Sequence, residues 1–273
     1  ISNRNKVMIR DVVENSEIGR FHRIGRGSLG GKGKGLAFLF TRMADLKLGE
    51  KFSNIEFMIP RCVVISTEIF GNFIRDNELS FLAHSNESDS DINRRFLEGE
   101  FRDDFIYQIS RFLKTFNFPV AVRSSSLLED SSHQPFAGVY STYMLANDNP
   151  DITIRLDRLL QAVKLVYASI FHEKSKKYVQ STANSIEDER MAVVIQQVVG
   201  RDTGGRFYPD IAGSARSRNH YSLDSISSED GLAAICLGLG RQVSEGGKCL
   251  RYSPGKPKKI HQFYSNKSIL ETS

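Results

Sequence analysis

Apolar residues along this chain recur with two different spacings, and the change from one to the other marks out the elements. Phe101, Phe105, Ile109, Phe112 and Phe116 stand three or four residues apart, the spacing of one helix face. Leu36, Leu39, Phe40, Met43 and Leu46 predict a second helix over 36–48. Phe70, Phe73 and Ile74 predict a third from Thr67, a residue type suited to capping, through Leu79. The longest such pattern runs over 151–180, where Leu156, Leu159, Leu160, Val163, Val166, Ile170 and Phe171 make the buried stripe of one long helix. Between these lie short runs with strand character: Phe57–Pro60, Cys62–Ser66, Val120–Arg123, Phe136–Leu145 and Leu232–Leu237. Met191–Val199 is a strand apolar on both sides, interrupted by Gln196 and Gln197. Residues 84–91, 124–134 and 201–222 read as loops. The alternation lacks strict βαβ regularity and shows no internal repeat, so the class is α+β or mixed α/β.

Composition narrows this further. With 40% hydrophobic and 25% charged residues, the chain is of ordinary globular type. No apolar run approaches the ~20 residues of a membrane span. Lys and Arg exceed Asp and Glu by 37 to 32, a mild excess without the clustering of a nucleic-acid binder, so nucleic acid is not an expected partner. The three cysteines, Cys62, Cys236 and Cys249, form no CxxC and have no His at ligand spacing. That disfavours a disulfide framework or a zinc site and points to a reducing, cytoplasmic setting. No signal peptide is visible. The first residue is Ile and the last stretch resembles a cut, so a fragment of a longer protein is expected.

Two segments carry candidate chemistry. Gly25–Gly35 holds six glycines with Lys32 and Lys34. Such a segment can cradle phosphates through backbone N–H groups, with Lys32 adding a full charge; it can equally be a flexible surface turn. Gly25-x-Gly27-x-x-Gly30 matches a dinucleotide fingerprint in letters but follows a poor strand, and Gly31-Lys32-Gly33 breaks the Walker A pattern. Kinase signatures are absent. In the second segment, Val120-Ala-Val-Arg123-Ser-Ser-Ser126 places an Arg at a strand end. Its planar fork suits phosphate oxygens, and pairing with Glu129 or Asp130 is the structural alternative. Gln196, an amide within an apolar strand, needs a partner, either a structural one or a ligand.

Four ordered segments together resemble the N-terminal nucleotide-binding domain of pyruvate phosphate dikinase and phosphoenolpyruvate synthase. They are Gly30-Gly-Lys-Gly-Lys-Gly35-Leu-Ala; Val120-Ala-Val-Arg-Ser-Ser with Glu129-Asp130 and Phe136-Ala-Gly138; Tyr167-Ala-Ser-Ile-Phe171; and Met191-Ala-Val-Val-Ile-Gln196. Gly238-Leu-Gly240 extends the likeness, which spans roughly 24–247. The resemblance implies an α+β, ATP-grasp-like domain over 1–273, with two lobes dividing near 120–200 and the second lobe incomplete. It implies ATP as ligand and Mg²⁺ as cofactor. By motif position, Lys32 and Arg123 would be the catalytic phosphate contacts, with Gly31, Ser124, Gly138, Thr142 and Gln196 completing the ATP site. The implied activity is that of a phosphotransferase passing a phosphoryl group to a carrier histidine on a domain outside this chain. A phosphohistidine domain and a pyruvate-binding domain would be its partners.

The chain also departs from that family. Arg241 stands where an acidic residue usually follows Gly-Leu-Gly, and Ala215-Arg-Ser-Arg218 replaces a short turn. Arg216, Arg218 and Arg241 could face phosphates or lie on the surface. The family's metal-binding Asp-x-Glu strand and Gln-x-Arg are not found over 246–273, so the metal ligands are expected downstream and the fragment is expected to be inactive alone. His133, near Arg123 in sequence, is not the implied carrier. The alternative reading is a non-catalytic, nucleotide-sensing or interaction module of the same fold.

Overall fold

A mixed five-stranded sheet forms the frame of the computed structural model, which describes residues 20–126, 138–181, 185–220, 226–244, 247–258 and 260. Its strands are β1 (Phe21–Ile24), β2 (Cys62–Ile65), β3 (Val120–Ser126), β4 (Thr142–Leu145) and β5 (Met191–Gln197). They lie in the order β1-β2-β5-β3-β4. β1 and β2 are parallel, and every other pairing is antiparallel. β5 sits at the centre, which explains its unbroken apolar run: Met191–Ile195 are buried from both faces. The alternation of side chains along each strand sends odd and even positions to opposite layers.

One face carries a large core. Ile24, Val63, Ile65, Val120, Val122, Val193 and Ile195 point into it. Four helices supply the other side: α2 (Thr67–Asp76), α3 (Asp89–Glu98), α4 (Asp103–Leu113) and α5 (Ile152–Ala168), numbered after α1 (Gly30–Leu46) of the opposite face. Aromatic rings dominate here. Phe73 lies 4.6 Å from Phe101 and 5.8 Å from Phe96, and Phe70 meets Tyr167 edge-on at 5.0 Å. The second face is covered by α1, whose Ala37 and Phe40 pack with Phe21, Cys62, Val64, Ala192 and Val194.

The predicted helices over 36–48, 67–79 and 101–116 correspond to α1, α2 and α4, with corrections at their ends. α1 begins at Gly30, so the second half of the glycine segment is helix rather than loop. Ser66, not Thr67, occupies the cap position of α2. The long helix over 151–180 is two: α5 ends at Ala168 and α6 spans Glu173–Gln180. Between them, Ile170 and Phe171 turn inward to full burial. Ser169 Oγ donates to Val166 O at 2.6 Å, and Ser175 Oγ donates back to Ser169 O. The polar stretch 84–91 contains the start of α3, capped by Ser88 Oγ, which accepts from Asp91 N at 3.2 Å. Residues 57–60 form no strand.

The chain divides by its internal contacts into two units, Ile1–Val198 and Val199–Ser273. The second holds eleven Lys and Arg against seven Asp and Glu, so four of the five excess positive charges fall there. Its stretch 201–222, read as irregular, contains strands. β6 (Arg201–Asp202) and β7 (Phe207–Tyr208) make a hairpin, and Gly204 and Gly205, both at positive φ, form its tip. β8 (Ile211–Arg216), β9 (Leu232–Leu237) and β10 (Leu250–Tyr252) make an antiparallel sheet in the order β10-β9-β8. Among the described residues, no helix is long and apolar enough to cross a membrane.

Candidate functional site

The candidate residues of the first unit gather around β3. Arg123 stands in its middle, half-buried, on the face that α1 covers. Its strand neighbours are Val194 on β5 and Thr142 on β4. Gln196, two residues along β5 on the same face, accepts from Arg123 Nη1 at 3.3 Å. The amide within the apolar strand therefore has a structural partner, and that partner is the site's own arginine. Thr142 is exposed, as is Met144 beside it at 68%. Over β4, then, this face of the sheet stays open.

Lys32 belongs to the first turn of α1. Its Nζ donates to Ser124 O at 3.0 Å and lies 3.4 Å from Ser124 Oγ. Gly31 precedes it in the same turn. Ser124 itself is buried. Gly138 is exposed at φ +76°, a left-handed backbone that favours glycine. Its carbonyl accepts from Lys174 Nζ of α6 at 2.7 Å. The structure thus joins Lys32 to Ser124 and Arg123 to Gln196, with Thr142 alongside. Glu129, Asp130, His133 and Phe136 lie outside the described residues, and so does the proposed pairing of Arg123 with Glu129 or Asp130.

The glycine segment is tied to its surroundings and is not a free turn. Arg23 grips its first half, with Nε donating to Gly25 O at 2.9 Å and Nη2 to Gly27 O at 2.7 Å. Thr67 Oγ1 accepts from Ser28 N at 3.0 Å, and Glu68 accepts from Arg26 N. In the second half, Gly30 permits contact between elements. A Cβ there would lie 1.7 Å from Ser125 O, so α1 could not approach β3 with any other residue. Two amides at the head of α1 are already engaged, Gly30 N by Ser28 Oγ and Gly33 N by Ser125 Oγ. Sequence reasoning missed Ser125, Arg23 and Thr67, because their partners are distant in the chain or are backbone atoms.

Burial alone perturbs Cys62, whose thiol is pushed up to about 12; it is an inert core residue beneath α1. Among the described residues, no three His, Cys, Asp or Glu side chains come together to hold a metal. Lys32 and Arg123 repel a cation, and the described residues around them offer no ligand set for Mg²⁺. Arg216 and Arg218, at the end of β8 and just after it, are exposed in the second unit, as is Arg241.

The described residues form an α+β fold in which Lys32 of α1 and Arg123 of β3 are both held at the same strand. The family described as pyruvate phosphate dikinase, AMP/ATP-binding domain, matches residues 26–260, and the chain belongs to that family. Its relatives include the uncharacterized phosphotransferase YvkC of Bacillus subtilis, 27% identical over 191 residues, which is 69% of this chain and 20% of that protein. The prodigiosin synthesizing transferase PigC of Serratia marcescens is 31% identical over 46% of this chain and 12% of its own length. The rifampicin phosphotransferase of Bacillus subtilis is 25% identical over 55% of this chain and 15% of its own length. The chain thus spans a fifth or less of each of these relatives.

Proposed function

We propose that this chain is the ATP-binding domain of a cytoplasmic phosphotransferase, in which Lys32 and Arg123 hold the phosphates of ATP and the phosphoryl group passes to a carrier histidine outside the chain. The observation that carries the reading is the convergence on β3 of two cations from separate elements, beside a sheet face left open over Thr142 and Met144. Phosphoryl transfer asks little covalent chemistry of a protein; it asks for positioned positive charge. Lys32 and Arg123 supply that charge from a helix turn and a strand, the two most rigid kinds of support. Gln196, bonded to Arg123, orients the guanidinium and lies where an adenine edge would be read. Gly138 and Thr142 would close over the nucleotide. Mg²⁺ would take its protein ligands from outside these described residues.

Incubating full-length protein with γ-labelled ATP tests this reading. Acid-labile, base-stable label is expected on histidine in the wild type and is expected to vanish in both Lys32→Ala and Arg123→Ala. Label retained in both variants would sink the assignment. A wild type that binds ATP yet never takes up label favours the second reading, a nucleotide-sensing module, which the replacement of an acidic residue by Arg241 motivates.

A further inference from the structure

We infer that Ser125 is a positioning residue for phosphate recognition, acting through Lys32; the inference rests on the ATP-binding reading above. Ser125 is fully buried on β3, one residue from the acceptor of Lys32 and two from Arg123. Its hydroxyl accepts from Gly33 N at 3.0 Å and donates to Leu29 O at 2.8 Å. Leu29 C=O and Gly33 N–H stand four residues apart and are the carbonyl and amide that close the first turn of α1. Ser125 bridges them from another element. A hydroxyl bonded to both ends of a helix's first turn fixes that turn against the strand, and Lys32 lies within it. The bridge is possible only because Gly30 lets the backbone of α1 reach Ser125 O, where a Cβ would sit at 1.7 Å. One hydroxyl therefore fixes the turn that bears one cation against the strand that bears the other. Neither cation touches Ser125, so its contribution is geometric.

The test is calorimetric titration of full-length protein with ATP and, separately, with adenosine. Adenosine lacks the phosphates and does not sample the Lys32 turn. Ser125→Ala is expected to weaken ATP about tenfold, the value of a single well-made hydrogen bond, and to leave adenosine unchanged. Ser125→Thr, which keeps the hydroxyl, is expected to restore ATP affinity. In a Lys32→Ala background the Ser125→Ala change should add nothing, because the group it positions is gone. Equal weakening of ATP and adenosine, no weakening of ATP, or full additivity with Lys32→Ala would each overturn the inference. If Ser125→Ala does not fold, Ser125→Cys is read in the same way, since it keeps the volume and weakens the bond. A wild type that binds adenosine no more weakly than ATP would overturn the ATP-phosphate reading itself, and this one with it.

Discussion

The two faces of the five-stranded sheet are built for different ends. On one, Val63, Ile65, Val120, Val122, Val193 and Ile195 meet a wall of Phe70, Phe73, Phe96, Phe101 and Phe105 from α2, α3, α4 and the segment before it. On the other, α1 sets Leu36, Ala37 and Phe40 against β1, β2 and β5 and its glycine-rich head against β3. Beyond it Arg123, Thr142, Met144 and Gln196 stand half-buried or exposed. The first face concentrates burial and the second concentrates charge. A sheet can do both because neighbouring residues of one strand point in opposite directions: Val122 serves the core while Arg123 serves the site. Stability and ligand affinity should therefore respond to different substitutions.

The largest expected effect is on the aromatic face. Phe96 is fully buried and stacks on Phe73. Phe96→Ala should cost about 3–5 kcal/mol in urea unfolding, while the ATP affinity of the folded fraction stays as in the wild type. A parallel loss of affinity would break the division. On the other side, Gly35 lies in the interior of α1 with nothing within 4 Å of an added Cβ. Gly35→Ala should stabilise the fold by roughly 0.5–1 kcal/mol by removing a helix-interior glycine. Should ATP weaken as stability rises, the site extends along α1, and the contrast between the faces sharpens.

The smallest effect is a pH dependence on the helical side. His172, between α5 and α6, sits 2.8 Å from Asn93 Oδ1. Burial, aided by Lys176, holds its imidazole below its ordinary range against the opposing pull of Asp89. The unfolded chain therefore takes up this proton more readily than the native one, and stability falls as pH drops through the ordinary imidazole range. The urea midpoint should decline between pH 7.5 and 5.5, and His172→Gln should flatten that decline. The window is separate from that of Asp76, Asp91 and Asp151. Hydrogen bonds to Arg102, Ser88 and Thr153 respectively hold these carboxyls below their usual range, so the stability they contribute is lost only under stronger acid.

Elements with long regular spacing were legible before any coordinates. The Phe101–Phe116 stripe became α4, and the doubly apolar Met191–Ile195 became the central strand. The start of α3 was not legible: Ser88 caps it through Asp91 N, but the polar character of 84–91 reads as a loop. The break at Ser169–His172 is invisible to periodicity, because Ile170 and Phe171 keep the apolar stripe going while the backbone changes direction. At the site, residue type pointed to Lys32, Arg123 and Gln196, but not to the bond that joins the last two. Ser125 could not be found from sequence. It is one of three consecutive serines, and what distinguishes it is the pair of backbone groups facing it from α1.

The bond between Ser125 and Gly33 spans 92 residues. At a synthesis rate of roughly 5–20 residues per second, the head of α1 leaves the ribosome about 5–20 s before the strand that anchors it. A helix head with four glycines in its first six residues has little capacity to hold itself in the meantime. The central strand β5 is later still, and without it β1 and β2 have nothing to join them to β3 and β4. The proposed nucleotide site is thus a late product of translation. During elongation the Lys32 segment is a nascent, unanchored stretch, and proteolysis of stalled ribosome complexes should find it protected only once residues beyond 197 have emerged.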